Sequence, residues 1–493
     1  MSQKQLEEYL WGAANILRGM IDAADFKQYI FPLLFFKRIS DVYDEEYAEA
    51  LTESDGDLEY AAFEEQHWFV IPEGCHWKDI RETTTDVGKA MFDAFTNIER
   101  ANFDKLHDIF GDAQWTNKRR MPDDKLHDLI EHFSAMNLST TNVPHDVMGD
   151  AYEYLIKKFA DDSGHTAAEF YTNRTVVKLM TMITDPQSGE AVYDPTCGSG
   201  GILLNAALHL KEQGKEYRNM KLYGQELNLI TSAIARMNMY MHSINEFKIV
   251  QGDTLDSPQL LANDHLQQFD IIMANPPYSV KRWSQQKFSA DPFGRNIWGT
   301  PPQGCADYAF QQHIQKSLNP KTGRSVVLWP HGVLFRDSET PLRRKMIEAD
   351  LVEAVIGLGK NLFYNSSMES CLLVCRNRKP KERQGKILFI NAVNDIRIER
   401  STAYLKPEHI QKIVAAYKNF KNTEGFAAVV ENETVLRENN GNLSIPLYVK
   451  QEANDAEHNI QDLLTDVRLG QTHINMTLEN LFSKLNQIGI ETI

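Results

Sequence analysis

The sequence has few cysteines, no cysteine pair at metal-ligand spacing and no long apolar run. Its five cysteines are scattered and odd in number, which argues against a disulfide framework and against a zinc ribbon. No stretch reaches the roughly 18 apolar residues of a membrane span. Acidic residues precede the first apolar stretch, which argues against a secretory signal. We therefore predict a cytoplasmic, multi-domain protein with reduced thiols, no metal site and no membrane partner.

The chain has little positive charge, and its net charge of −16 argues against a nucleic-acid partner. The excess is unevenly distributed, because residues 44–65 contain ten acidic residues and no basic one. A solvated acidic segment of this kind is typical of an exposed helix face or loop. Local basic patches elsewhere in the chain remain compatible with binding to DNA.

Hydrophobic periodicity divides the chain into three parts. Residues 1–160 show helical spacing and predict an N-terminal all-helical domain. Over residues 161–425, apolar strands alternate with helices, which predicts an α/β domain with a Rossmann-like, doubly wound parallel sheet. The last two strand patterns, at 371–377 and 386–392, predict an antiparallel edge pair. Residues 426–493 predict a C-terminal helical tail whose apolar stripe is a candidate docking segment for a partner.

The first chemistry-bearing motif is D-P-T-C-G-S-G-G, residues 194–201, which we call the glycine turn. It joins a predicted strand to a predicted helix, where glycines let a ligand approach the backbone and the helix presents free N–H groups. It is not the G-x-G-x-x-G fingerprint, which weakens a hydride-transfer interpretation. The carboxylate of Asp194 suits a cationic or hydroxyl-bearing ligand rather than a diphosphate.

Two further acidic residues follow the next two predicted strands. Glu226 ends the second strand, where open α/β folds place a carboxylate that binds ribose. Asp253 ends the third strand, at the same carboxyl edge of the sheet. Three acids at successive strand ends beside a glycine turn predict a ligand-binding crevice.

The tetrapeptide N-P-P-Y, Asn275–Tyr278, closes the fourth predicted strand, and we call it the Asn275 corner. Its two prolines stiffen the turn and remove two backbone donors. The Asn275 side-chain oxygen and nearby carbonyls can then accept from an incoming NH2 group, and Tyr278 offers a ring for stacking on a base. Two acceptors on a conjugated amino group favour the pyramidal nitrogen that can attack an electrophile.

The segment 279–304 independently indicates DNA, because basic residues there alternate with aromatic residues. Basic side chains neutralise phosphates, and aromatic rings accept unstacked bases. Phe363 is a weaker candidate for stacking on the other side of a target base. The candidate DNA contacts are Lys281, Arg282, Trp283, Arg295 and Phe363.

Together these motifs resemble the S-adenosylmethionine-dependent enzymes that methylate amino groups. With A-E-F-Y-T-N-R at 168–174, most of the chain resembles the modification subunit of type I restriction–modification systems. The family usually carries proline where this chain has Asn173. The resemblance implies a Rossmann-like methyltransferase sheet, S-adenosylmethionine as cofactor, and methyl transfer to the N6 amino group of adenine in DNA.

The resemblance also assigns roles to residues. Asn275, Pro276 and Tyr278 are the implied catalytic residues, with Asn275 and Pro276 at the target amino group. Asp194 and the backbone at Cys197–Gly198 would face the methionine part of the cofactor, Glu226 its ribose and Asp253 its adenine. The full implied cofactor set is Glu169, Phe170, Tyr171, Thr172, Asp194, Thr196, Cys197, Gly198, Ser199, Gly200, Glu226, Asp253, Thr254 and Asn275.

The mechanism we predict is direct in-line transfer, in which positioning and electrostatics supply most of the catalysis. No general base is assigned, because the Asn275 corner contains no carboxylate. The target adenine must leave the DNA helix to be reached. The implied partners are a specificity subunit for base readout, a restriction nuclease subunit, and a second methyltransferase subunit in the complex. The N-terminal domain and the helical tail are the predicted docking surfaces.

Three alternatives remain open from the sequence. A protein glutamine N5-methyltransferase also uses N-P-P-Y, but such enzymes lack the long helical domain and the basic aromatic segment. A non-catalytic assembly subunit would keep the fold without turnover. The three intact motifs argue against this alternative. An NAD-linked oxidoreductase is disfavoured by the glycine turn. A comparison of DNA with protein substrates separates the first of these, and cofactor binding without methyl transfer would favour the second.

Overall fold

The computed structural model describes residues 2–162, 171–362, 368–399 and 402–450, together with residues 468, 471, 475 and 477. The chain divides into two units, Met1–Val449 and Lys450–Ile493. The predicted helical stripe in the tail falls in the second unit and lies outside the described residues, apart from those four positions. None of the helices in the described part of the chain is both long enough and apolar enough to cross a membrane.

Residues 2–162 are helical, and no strand occurs among them. The first helix begins with a capping box, in which the Ser2 hydroxyl accepts from Gln5 N at 3.4 Å and Gln5 Oε1 accepts from Ser2 N at 3.0 Å. The helices of this region are α1 Gln3–Leu17, α2 Lys27–Glu53, α3 Leu58–Ala61, α4 Trp77–Glu82, α5 Val87–Ala101, α6 Phe103–Leu106, α7 Asp123–Ser134 and α8 His145–Asp162.

The remaining elements alternate between strand and helix. The helices are α9 Arg174–Thr184, α10 Gly201–Glu212, α11 Leu229–Met241, α12 Gln285–Ser289, α13 Asp307–Ser317, α14 Thr340–Glu348, α15 Pro407–Asn419 and α16 Asn432–Arg437. The strands are β1 Ala191–Asp194, β2 Lys221–Glu226, β3 Phe247–Gln251, β4 Leu261–Ala262, β5 His265–Leu266, β6 Ile271–Ala274, β7 Arg324–Pro330, β8 Val352–Leu358, β9 Ser370–Arg376, β10 Lys386–Ala392, β11 Arg397–Glu399, β12 Thr402–Tyr404 and β13 Ala427–Glu431.

The helical region packs on α11 of the α/β part. The Tyr240 ring lies 5.1 Å from the Phe69 ring, and its hydroxyl donates to the Lys105 carbonyl at 3.0 Å. Arg236, one turn earlier on α11, donates to the same carbonyl at 2.7 Å. This side of the sheet is therefore covered by the N-terminal helices, whose buried residues form one core with Tyr240.

Nine strands form the central sheet in the order β13-β10-β8-β9-β7-β6-β1-β2-β3. Strands β3, β2, β1, β6 and β7 are mutually parallel. Strands β1, β6 and β7 are buried on both faces, whereas β3, at the edge of the sheet, is partly exposed. The prediction of an α/β fold with a Rossmann-like sheet is confirmed. Strands β4 and β5, and β11 and β12, form two small antiparallel hairpins outside this sheet.

The predicted antiparallel edge pair is wrong in its partners. Strand β9 is antiparallel, but it lies between β7 and β8 and pairs with both. Strand β10 pairs in parallel with β8 and does not pair with β9. The short connection between β9 and β10 excludes a crossover helix, but it does not determine with which strands each of them pairs.

The predicted boundary at residue 425 also needs correction. Strand β13 pairs antiparallel with β10 from Lys386↔Glu431 to Ile390↔Ala427. Beyond it, Val435 and Ile445 are buried in a core of the sheet. The first unit therefore continues to Val449, because the antiparallel edge strand and the turn after it cover apolar surface that would otherwise face solvent.

The strand order reverses at β1, which has β2 on one side and β6 on the other. Open α/β sheets bind ligands in the crevice at such a switch point, outside the carboxyl ends of the strands. The residues that follow β1 and β6 are the glycine turn and the Asn275 corner. The sheet therefore brings the two motifs to one edge.

Candidate active site

The glycine turn connects β1 to α10 through backbone conformations that favour glycine. Gly198 and Gly200 have φ values of 53° and 79°. A Cβ at Gly200 would lie 2.9 Å from Met239 Cε, and one at Gly201 would lie 1.9 Å from Arg174 Nη1. Helix α10 begins at Gly201, so its free N–H groups point to the crevice.

Asp194 and Glu226 meet at this turn. Glu226 Oε2 accepts from Gly198 N at 3.0 Å, and its Oε1 accepts from Asn228 N at 2.9 Å. Asp194 Oδ1 accepts from Thr196 N at 3.0 Å, whereas its buried Oδ2 has no hydrogen-bond partner in the described part of the chain. The pKa of Asp194 is raised to about 8, mainly because the carboxyl is buried; the Thr196 N–H opposes this rise, and the Glu226 carboxylate adds to it.

The third acid, Asp253, lies at the same edge but in a more open position. Its side chain is exposed, and Oδ1 accepts from the N–H groups of Leu255 at 2.8 Å and Asp256 at 3.0 Å. Thr254 is buried, and its hydroxyl donates to the Pro195 carbonyl. The turn after β3 is thereby attached to the glycine turn.

The Asn275 corner is held from two sides. Asn275 Nδ2 donates to the Thr172 hydroxyl at 3.1 Å, and Asn275 Oδ1 accepts from the Tyr278 hydroxyl. Pro276 is buried and Tyr278 half-buried. A carbonyl oxygen has two lone pairs, so Asn275 Oδ1 keeps one acceptor position beside its bond to Tyr278.

The segment before α9 supplies Thr172 to this site. Glu169 and Phe170 lie outside the described residues, and Tyr171 is buried. Asn173, where the family usually has proline, is the N-cap of α9: its Oδ1 accepts from Thr175 N at 3.0 Å and its Nδ2 donates to the Ala403 carbonyl at 2.8 Å. The asparagine thus fixes by hydrogen bonds a turn that a proline would fix by its ring.

One cavity contacts both the glycine turn and the Asn275 corner. This is the juxtaposition on which the interpretation of the sequence depends. Of the other predicted cofactor residues that the structure describes, five do not line this cavity: Tyr171, Gly200, Glu226, Asp253 and Thr254. The lining residues are Thr172, Arg174, Asp194, Thr196, Cys197, Gly198, Ser199, Gly201, Ile202 and Asn275.

Arg174 is a lining residue that the sequence interpretation missed. Its Nε and Nη2 donate to the two carboxylate oxygens of Glu153 at 2.5 and 3.0 Å, and the guanidinium lies 4.5 Å from the Tyr171 ring centroid. Asn238 Nδ2 donates both to Glu153 Oε1 at 2.7 Å and to the Ser199 carbonyl at 3.0 Å. The signal was present for Arg174, which ends the A-E-F-Y-T-N-R segment, but not for Glu153, which lies on α8.

Lys27 is a second residue without a sequence signal. It begins α2, and burial lowers its pKa, while the carboxylates of Asp25 and Glu226 act in the opposite direction. The N-terminal helical region therefore places a positive charge in the electrostatic field of Glu226. Only the packing of α2 against the α/β part brings these charges together.

The structure separates the candidate DNA contacts of segment 279–304 into exposed and buried side chains. Lys281 and Arg282 are exposed, and Trp283 is half-buried with its indole N–H donating to the Gln303 carbonyl at 3.0 Å. Arg295 is a correction: it is 2% exposed and pairs with Asp291 at 2.7 Å, so it cannot reach a phosphate in this conformation. Phe363 lies outside the described residues.

Among the described residues, one group of three potential metal ligands was found. Atoms of Cys305, Asp307 and Glu339 lie within 4.8 Å of one another. The guanidinium of Arg336 already donates to both carboxylates. This group is separate from the cavity that contacts the glycine turn.

Family models match both parts of the chain. Residues 143–457 match the family described as N-6 DNA Methylase, and residues 6–133 match the HsdM N-terminal domain. The first match covers more than half of the chain. The chain belongs to the N-6 DNA methylase family.

Known relatives agree with the family. A type I restriction enzyme MpnII methylase subunit from Mycoplasma pneumoniae is 29% identical over 98% of both chains. The MjaVII methylase subunit from Methanocaldococcus jannaschii is 32% identical over 76% of this chain and 65% of its own length. The crystal structure of a type I methyltransferase subunit from Streptococcus thermophilus is 28% identical, covers 92% of this chain and 100% of its own, and has a TM-score of 0.79.

The predicted resemblance to a type I modification subunit is therefore confirmed. This N-6 DNA methylase is an adenine-specific DNA methyltransferase, and its cofactor is S-adenosylmethionine. The relatives do not favour a protein glutamine methyltransferase or a non-catalytic assembly subunit.

Proposed function

We propose that the cavity between the glycine turn and the Asn275 corner holds S-adenosylmethionine next to the amino group of a flipped adenine. The observation that carries this proposal is the common cavity, which Asp194 and Asn275 both line. When bound, S-adenosylmethionine supplies a methyl group activated by its sulfonium. The chain's own residues need only bind, orient and exclude water.

The residues present fit this cofactor. The unpartnered Oδ2 of Asp194 is buried at a site where burial raises its pKa, and a cationic ammonium would satisfy this oxygen as a carboxylate. Arg174 lines the same cavity, and its Nη1, which is not bonded to Glu153, would donate to the carboxylate of the cofactor. Glu226 would receive the ribose hydroxyls, and Asp253 with Thr254 the adenine. Tyr171, Thr172 and the backbone of Cys197–Gly200 would enclose the rest.

The Asn275 corner would hold the target nitrogen. Asn275 Oδ1 and the Pro276 carbonyl would accept the two hydrogens of the adenine amino group, which favours a pyramidal nitrogen with its lone pair directed at the methyl group. Tyr278 would stack on the base. We assign no general base, because the corner contains no carboxylate.

We further propose that this chain acts on DNA in a complex. Its partners would be a specificity subunit, a second methyltransferase subunit and a restriction nuclease subunit, and its location the cytoplasm. Residues 1–160 would form a helical domain, residues 161–449 the catalytic domain, and residues 450–493 a docking tail. Lys281, Arg282 and Trp283 would contact DNA beside the active site.

The test is transfer of a labelled methyl group to DNA, with and without a co-expressed specificity subunit. We expect sequence-specific transfer to adenine N6 only in the presence of the partner. Efficient methylation of one defined site by the isolated chain would contradict the partner assignment. Transfer to a glutamine-containing protein substrate, without transfer to DNA, would contradict the substrate.

A further inference from the structure

Ser279, the residue directly after the Asn275 corner, has an unusual backbone conformation. Its φ of 50° lies in the left-handed region, which side-chain-bearing residues adopt rarely. Such a conformation persists only where surrounding contacts impose it. The Ser279 N–H donates to Asp307 Oδ1 at 2.7 Å, and this is the contact that imposes it here.

Asp307 belongs to a buried charged group. Arg336 Nη2 donates to Asp307 Oδ2, its Nε donates to Glu339 Oε2 at 2.8 Å, and its Nη1 lies 3.3 Å from the Ser279 hydroxyl oxygen. The side chains of Asp307 and Glu339 are fully buried. We call Asp307, Arg336 and Glu339 the Ser279 clamp, because two of them bind the N–H and the hydroxyl of Ser279.

The three members come from separate parts of the chain that surround the same strand ends. Asp307 begins α13, whereas Arg336 and Glu339 lie between β7 and α14. The carboxylates raise the pKa of Arg336, so this guanidinium stays charged between them. Removing one partner from a buried charged group leaves the other charges uncompensated. The three side chains of the clamp therefore hold their positions together, and the loss of one disturbs the other two.

The clamp completes the immobilisation of the Asn275 corner. Its prolines restrict φ at positions 276 and 277, and Thr172 holds the Asn275 amide from the other side. The prolines leave ψ free at both positions, and both torsions of Tyr278 and Ser279 are also unrestricted by a ring; the clamp fixes the last of these residues. We propose that Asp307 and Arg336 are positioning residues for methyl transfer, which act through Ser279 on the orientation of the Asn275 side chain. The proposal rests on the role proposed for Asn275.

The test uses the full chain in complex with its specificity subunit. In Asp307→Asn one of the two acceptor oxygens becomes an NH2 group, so the side chain can no longer accept from both Ser279 N and Arg336. We expect kcat for methyl transfer to fall about tenfold or more, because misplacement of a reacting group is costly. The dissociation constant for S-adenosylmethionine, measured by calorimetry, should stay within about twofold, since the cofactor cavity does not contain Asp307. Asp337→Asn, an exposed carboxylate beside Arg336, is the matched control.

Rescue distinguishes positioning from general destabilisation. Ser279→Gly, added to Asp307→Asn, should restore kcat at least about threefold, because glycine adopts a left-handed conformation without a clamp. If Asp307 were merely structural, kcat expressed per folded, cofactor-binding site would not fall in Asp307→Asn, and the added glycine would change only the free energy of unfolding. Unchanged kcat in Asp307→Asn, or failure of glycine to rescue it, would overturn the proposal.

Two further arms keep the result interpretable. If Asp307→Asn does not fold, Arg336→Lys keeps the charge but loses the planar fork, and the same fall in kcat and the same glycine rescue are expected. Asn275→Ala, assayed in parallel, tests the proposed function itself. Full activity in Asn275→Ala would contradict that function, whereas loss there with full activity in the clamp variants would contradict only the clamp.

Discussion

The amide Nδ2 of Asn275 lies 3.1 Å from the hydroxyl oxygen of Thr172, to which it donates a hydrogen bond. The bond joins the end of β6 to the segment before α9, although the two residues are 103 positions apart in the chain. Thr172 and Asn275 both line the cavity that reaches Asp194. A change in the segment proposed to enclose the cofactor would therefore alter the position of the Asn275 side chain, which is proposed to bind the target amino group.

Replacement of Asn275 should separate binding from transfer. In Asn275→Ala we expect kcat for DNA methylation to fall by about 10²–10³-fold, the usual loss when one electrostatic contact to a reacting group is removed. Binding of S-adenosylmethionine, measured by calorimetry, should remain, because Asp194, Arg174 and Glu226 are intact. Gln268→Ala, an exposed position outside the cavity, is the control and should leave both quantities unchanged. Retained transfer in Asn275→Ala would contradict the assignment.

Cofactor affinity should depend on pH through Asp194. Burial raises the pKa of this carboxyl to about 8, so it is protonated below that pH and must lose its proton to pair with an ammonium group. The dissociation constant for S-adenosylmethionine should therefore rise as pH falls from 9 to 6, by up to about tenfold per unit below the pKa. In Asp194→Asn the binding should be weaker and this dependence absent. A parent profile that is flat over this range would contradict the proposed role.

Arg174 should matter for the cofactor rather than for DNA. We expect Arg174→Gln to raise the dissociation constant for S-adenosylmethionine about ten- to hundredfold, the usual scale for a lost charged hydrogen bond. Lys178→Gln removes a positive charge from the same helix at an exposed position and is the matched control. Equal effects of the two variants would show that net charge on α9, and not Arg174, determines affinity.

Lys281 and Arg282 should contribute to DNA binding electrostatically. In the double variant Lys281→Gln/Arg282→Gln, we expect weaker DNA binding by the complex and a shallower dependence of log K on log salt, by about 0.9 for each lost phosphate contact. Lys287→Gln is the control, because the Lys287 ammonium already pairs with Asp256 at 3.0 Å. A salt dependence identical to that of the parent would exclude both residues as phosphate contacts.

Arg295 should instead determine stability. Its guanidinium donates to the carbonyls of Thr254 and Leu255, each at 2.8 Å, and pairs with the buried Asp291. Arg295→Ala should lower the free energy of unfolding by about 3–5 kcal/mol, because it leaves Asp291 buried without its partner. Denaturant unfolding measures this loss. Unchanged stability combined with weaker DNA binding would restore the original DNA-contact hypothesis for this residue.

Elements that depend on contiguous residues could be predicted from the amino-acid sequence alone. Apolar runs indicated the five parallel strands β3, β2, β1, β6 and β7. The run is most continuous in β6, since a strand buried on both faces must be apolar along its length. The glycine turn and the Asn275 corner were likewise visible, because glycine and proline impose local conformations wherever they occur. Their meeting at one edge followed from the parallel sheet, whose strands all end on the same side.

The partners with which those elements pair could be read only from the folded chain. An apolar pattern reports that β9 is buried, but not that it lies antiparallel between β7 and β8. The charge of Arg295 suggested a DNA contact, yet its burial depends on carbonyls some 40 residues earlier. The contacts of Arg174 with Glu153, and of Ser279 with Asp307 and Arg336, likewise join residues that are far apart in the chain. The burial and the ion pairs of a side chain depend on neighbours that are distant in the chain and meet only on folding. A local stretch of sequence therefore cannot show them.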